Sequence, residues 1–173
     1  MKESPLLIDT RYRLRLDDEP RAIVTPVKVM NVANDRSAVV RALWDTGATF
    51  SSVTRRVIDD LGLEPLSPCA TNVVGGRVDG MTRLALTFPG NTRFVTWAEM
   101  SEVPELPDGL DVLLGLDVIS LGDMHLTHEA DGLWFEFVFR REAFVDFEGD
   151  DGKTVMRKLA AGLQRFRINK GKD

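Results

Sequence analysis

The sequence is poor in the residues that build cross-links and metal cages. It has one cysteine, Cys69, among 173 residues, which excludes an intrachain disulfide and a cysteine-rich zinc site. It has two histidines, His125 and His128 in "MHLTH". That stretch alternates like a strand, where residues three apart point to opposite faces, so the pair reads as ordinary surface histidines and not as metal ligands. No apolar run approaches the length that spans a bilayer. The first twenty residues, "MKESPLLIDTRYRLRLDDEP", hold only the short apolar run "PLLI" before charges begin. They make a poor signal peptide, and a cytoplasmic protein is expected. Internal repeats and low-complexity tracts are absent too.

Positive charge is scarce in the body of the chain and concentrated at its end. The net charge is −5. From Lys153 onward seven basic side chains face one acid, Asp173, a surplus of six, so residues 1–152 carry the opposite surplus of eleven. An acidic body argues against a nucleic-acid-binding surface there. The basic tail, "KTVMRKLAAGLQRFRINKGKD", spaces Val155, Leu159, Leu163 and Phe166 for an amphipathic helix. Packing of that apolar face on the domain is the first reading. Contact with a second subunit is the next, and a membrane surface or nucleic acid the last.

What is present is a dense set of strand signals. With 43% hydrophobic residues the chain can bury one ordinary core. "RYRLRL" alternates Tyr12, Leu14 and Leu16, and "TPVKVMNV" places Val27, Val29 and Asn31 on one face. "MTRLALTF" and "RFVTWAEM", separated by "PGN", predict a hairpin. "GLWFEFVF" alternates Leu133, Phe135, Phe137 and Phe139 after the turn "EADG". Helix signals are few. "SSVTRRVIDDLGL" offers Ser52 as N-cap, Val53, Val57, Ile58 and Leu61 on one face, and Gly62 as the stop. "GLDVISLG" suggests a helical turn or two. Trp44, Trp97 and Trp134 read as core or dimer-interface residues. The expected fold class is mainly β with one short internal helix and a C-terminal helix, organised as a domain over 1–140 and a basic extension over 141–173.

Chemistry concentrates in "ALWDTGATFSSVT". An apolar strand carries Asp45 into a Thr-Gly turn, and a helix comes next. Asp, Thr and Gly are all turn formers, so a structural turn aspartate is one reading. The other is catalytic. Gly47 lets a second backbone come close, and the Thr46 hydroxyl can bond to a neighbouring backbone group and stiffen the loop. Two carboxylates held together cannot both ionise easily and titrate as a unit. Such a pair can hold a water between a base and an acid. The chain has no second Asp-Thr-Gly or Asp-Ser-Gly, so a dyad requires a symmetric homodimer with two copies of Asp45.

"ALWDTGATFSSVTRRVIDDLGLEP" resembles the retropepsin-like aspartic proteases. The family pattern is an apolar strand, Asp-Thr-Gly-Ala, a small polar stretch with Ser, and a short helix ending in "LGL". A second landmark, two apolar residues and a Gly before a short helix, is matched by Leu113-Leu114-Gly115 in "DVLLGLDVISLGDMHLT", which looks like the bacterial single-domain members. The resemblance covers about residues 20–140. It implies a closed β-barrel and an aspartic endopeptidase that needs neither metal nor cofactor. Its partners would be a second copy of itself and a peptide or protein substrate.

By the same resemblance Asp45 is the catalytic acid, Thr46 the interlocking contact between subunits, and Gly47 the backbone presented to substrate. Ala48, Gly75 and Gly76 would face substrate, the two glycines as the tip of a flap, with Asp79-Gly80 as the alternative tip. Leu113, Leu114 and Gly115 would support the loop, with Gly115 beneath it where a side chain would clash. Pepsin-like enzymes have a Ser or Thr at the position of Ala48, donating to the carboxylate. Its loss points to an activity optimum at mildly acidic to neutral pH. Retroviral members pair an acid after the Ala with an Arg after the later Gly; here those places hold Thr49 and Leu116, and that ion pair is missing. A non-catalytic peptide-binding or dimerisation module on the same fold is the alternative function.

Overall fold

The computed structural model describes residues 11–17, 20–66, 71–73, 76–89, 93–101 and 106–140. The expected C-terminal helix, Cys69 and Gly75 lie outside them.

Alternating side chains sort the strands into two sheets. β1 (Arg11–Arg15) pairs with β10 (Gly132–Phe139), and β10 with β9 (Gly122–Glu129), all antiparallel. The larger sheet holds β2 (Val24–Asn31), β3 (Ser37–Trp44), β4 (Ser52–Val53), β5 (Thr71–Val73), β6 (Gly76–Thr87), β7 (Arg93–Ser101) and β8 (Val112–Leu114). Its order is β2-β3-β8-β4-β7-β6-β5, and β2 also pairs with β6. That last pairing, Lys28↔Thr87 to Asn31↔Leu84, closes six strands into a barrel and leaves β5 as an outlier on β6. The expected mainly β, closed-barrel fold class therefore stands.

The barrel is filled by the residues that the alternation nominates. Val27 and Val29 of β2 are buried, as are Phe135, Phe137 and Phe139 of β10. Trp44, at the end of β3, joins the two sheets: its ring lies 5.0 Å from Phe135, 4.7 Å from Phe137 and 5.8 Å from Phe88. Its indole N–H donates to Thr25 Oγ1 at 2.9 Å, so the buried ring leaves no unpaired donor. Burial of each such aromatic is worth about 1.5–3 kcal/mol. Trp97 is buried as well, whereas Trp134 is half-buried under the Arg13 guanidinium.

Among the described residues two short α-helices interrupt the strands: α1 (Arg55–Leu61), the expected internal helix, and α2 (Leu116–Ile119), the helical turn suggested by "GLDVISLG". The start of α1 differs. Thr54 is its N-cap, and Ser52 with Val53 forms β4, held between Leu113 and Val112 of β8 and Glu99 and Met100 of β7. Pairing on both sides outweighs the local capping preference of serine. Gly62 ends α1 in the left-handed conformation, φ 61°. Asn31 locks that end: its Nδ2 donates to the carbonyls of Leu61 and Gly62 at 3.1 and 2.9 Å. Among the described residues no helix is long and apolar enough to cross a membrane.

Candidate active site

β3 and β8 run parallel, with Ala42↔Val112, Leu43↔Leu113 and Trp44↔Leu114 in register. Where β3 ends, the ladder makes one further bond, from the Asp45 N–H to the Leu114 carbonyl at 2.9 Å. The chain then turns sharply. Asp45 Oδ1 accepts the Gly47 N–H at 2.8 Å, and the Asp45 carbonyl accepts the Ala48 N–H at 3.2 Å. This is an Asx-type turn, in which the side chain fixes its own loop. Asp45 and Ala48 are half-buried, and Thr46 and Gly47 are exposed. A Cβ on Gly47 would stand 3.1 Å from Asp45 Oδ1, so a larger residue would press on the carboxylate.

The second segment lies directly under the loop. A Cβ on Gly115 would fall 2.6 and 2.7 Å from the carbonyl carbon and oxygen of Phe50 and 3.0 Å from the Ala48 oxygen, closer than real atoms approach. The gap that glycine leaves is crossed by backbone bonds, Leu116 N–H to Ala48 O at 2.8 Å and Asp117 N–H to Thr49 O at 3.2 Å. Thr49 and Leu116, which lack the retroviral ion pair, thus sit in a seam joined through main chain. Leu114 is fully buried and Leu113 half-buried. Asp45, Gly47, Ala48, Leu114 and Gly115 are brought together, with Thr46 on the open side of the turn.

The other predicted positions lie elsewhere. Gly76 opens β6 on the β5–β6 hairpin, where it pairs with Val73. The alternative tip, Asp79-Gly80, is corrected: both residues lie inside β6, at the irregularity in its pairing with β7 between Val78 and Met81. His125 and His128 are exposed on β9, and the described residues contain no cluster suited to a metal ion.

Two functional candidates escaped the sequence. Ser51 is 1% and Asp117 3% exposed, and the Ser51 hydroxyl donates to Asp117 Oδ1 at 2.8 Å while accepting the Gly115 N–H at 3.1 Å. The Val118 N–H also donates to Asp117 Oδ1, at 2.9 Å. Burial pushes the Asp117 acid up to about 6, against the lowering effect of these bonds. Glu99 of β7 is raised too, first by burial and then by the charge of Asp117. The only signal in the sequence was an acid inside the apolar run "LLGLDVI".

A ring closed by β2 and β6, with an Asp-Thr-Gly loop leaving the β3–β8 pair, decides the architecture. Retropepsin-like structures are what this fold is similar to. Among solved structures, the chain is similar to EIAV protease complexed with the inhibitor HBY-793, at 21% identity over 61% of this chain and 91% of that one, TM-score 0.45. It is similar to a retropepsin-like aspartic protease from Rickettsia conorii, at 14% identity over 75% of this chain and 93% of that one, TM-score 0.49. It is also similar to the retroviral protease-like domain of Ddi1 from Leishmania major, at 17% identity over 72% and 98% of the two chains, TM-score 0.46. No family model matches the chain, and no curated protein matches it.

Proposed function

We propose that the protein is an aspartic endopeptidase acting as a homodimer, with residues 1–140 as the catalytic unit and 141–173 as a basic extension. The observation that carries this reading is the Asp45 carboxyl itself. It is half-buried at the end of a core strand, fixed by the Gly47 amide, on a loop whose floor admits only glycine.

One such carboxyl does little alone. Two copies across a two-fold axis share a proton, and the ionised member takes a proton from a water while the neutral member protonates the peptide carbonyl oxygen. The water oxygen bonds to the carbonyl carbon, and collapse of the tetrahedral diol then breaks the C–N bond as the nitrogen gains a proton. Thr46, exposed beside Asp45, is available to the second loop, and Gly47 and Ala48 offer small, open positions for an extended peptide. Gly75 and Gly76 belong, in this reading, to the hairpin that covers the peptide, which would pair through its backbone like an added strand.

The test is cleavage of an unfolded protein by the wild type and by Asp45→Asn, with sedimentation to read the oligomeric state. Loss of cleavage by a thousandfold or more in a folded variant, from a wild-type dimer, is the expected result. Undiminished cleavage by Asp45→Asn removes Asp45 as catalyst. A dimer that binds peptides and cleaves none favours the binding-module reading.

A further inference from the structure

We propose that Asp117 is a positioning residue for the Asp45 loop: its buried carboxyl holds Ser51, and Ser51 holds the Gly115 amide, so that loop and floor are fastened at one point. This rests on the peptidase reading of Asp45. Ser51 comes directly after the loop and is gripped on three sides. Its hydroxyl bonds Asp117 and Gly115, and its carbonyl accepts the Glu99 N–H at 2.8 Å. The Asp117 main chain bonds the same loop through Thr49. A shift of Asp117 therefore moves the segment that aims Asp45.

The carboxyl is held in a dry corner. Its second oxygen, Oδ2, is buried and has no hydrogen-bond partner among the described residues, so only half of an ionised carboxylate is solvated by their dipoles. Glu99 comes from β7 beside it. β8 brings only Val112, Leu113 and Leu114, and Asp123 of β9 is on the surface, paired with Arg140. The cation among these groups, Arg140, is engaged by Asp123. The neutral acid, with its second oxygen protonated, keeps the bonds from Ser51 and Val118 without that cost. Ionisation above about pH 6 puts an uncompensated charge next to Glu99 and weakens the fastening.

Asp117→Asn keeps the accepting oxygen and cannot ionise; Asp117→Leu keeps the branched shape in a larger side chain and removes the acceptor. The experiment measures kcat/KM on a peptide substrate from pH 5 to 7.5. The expected ratio of Asp117→Asn to wild type is near one at pH 5 and rises about tenfold by pH 7.5, while Asp117→Leu or Ser51→Ala loses about tenfold or more at both. A flat ratio, or full activity in Asp117→Leu, overturns the proposal.

Amide hydrogen exchange reads the same fastening without catalysis. Protection of residues 45–51 and 115–118 should fall above pH 6 in the wild type and persist in Asp117→Asn; equal protection in the two overturns the proposal. A wild type that cleaves nothing but shows this exchange pattern supports the fastening and counts only against the peptidase reading.

Discussion

The Leu114 carbonyl accepts the Asp45 N–H at 2.9 Å. That bond is the last rung of the parallel β3–β8 ladder and the first of several that join the two motifs carrying the site. Strand pairing therefore places the candidate acid, and the loop beyond it, fixed by the Gly47 amide, turns it outward.

Gly115→Ala should destabilise the fold by about 1–3 kcal/mol, because the methyl group meets the Phe50 backbone, which cannot move aside as a side chain could. Denaturant unfolding of the variant checks the loss. Unchanged stability would mean that the seam between Ala48 and Leu116 is loose.

Asn31→Ala should cost about 1 kcal/mol by freeing the Gly62 carbonyl at the cap of α1, while the Leu61 carbonyl keeps the Asn34 amide at 3.1 Å. Thermal unfolding reads it. Asn31→Asp keeps the bond to the Ala33 amide but loses the donors, and should be about as destabilising.

Asp117 makes stability depend on pH. Its acid is near 6 when folded, against about 3.9 in an unfolded chain. The folded state thus holds the proton more tightly. Its contribution is fully present below about pH 4 and is lost as the pH rises through 6. Over that range the wild type should lose up to about 3 kcal/mol relative to Asp117→Asn. Unfolding free energies of both proteins at pH 4.5 and 7.5 test the sign, and a difference that grows on acidification would reverse it.

Ala48→Ser would restore a hydroxyl next to the carboxylate that the peptidase reading makes catalytic. A donor to the charged form favours ionisation, so the acidic limb of the pH–rate profile should move down by roughly one pH unit. The wild-type optimum is expected in the mildly acidic to neutral range, and a peak well below pH 4 would contradict the role given to Ala48.

Much of the barrel was legible because period-two alternation survives folding unchanged. Val27, Val29 and Asn31 share an inner face, and Phe135, Phe137 and Phe139 another. Gly62 ended its helix for a local reason, and local reasons can be read. Ser52 could not be placed, because its partners Leu113 and Glu99 are far along the chain and their pairing outcompetes a cap. Asp117 was illegible in the same way. Nothing near it in sequence indicates that its carboxyl faces Ser51, and an acid on a short helix ordinarily faces water.

The dependence of the Asp45 loop on Gly115 also sets an order of events during synthesis. A ribosome that has released Asp45 must add about seventy more residues before the floor exists, and the parallel β3–β8 pairing closes a loop of that length, a slow step for any chain. Growing chains on one messenger can therefore meet without an assembled site between them. Whatever chemistry the loop performs begins only after most of the barrel has been made.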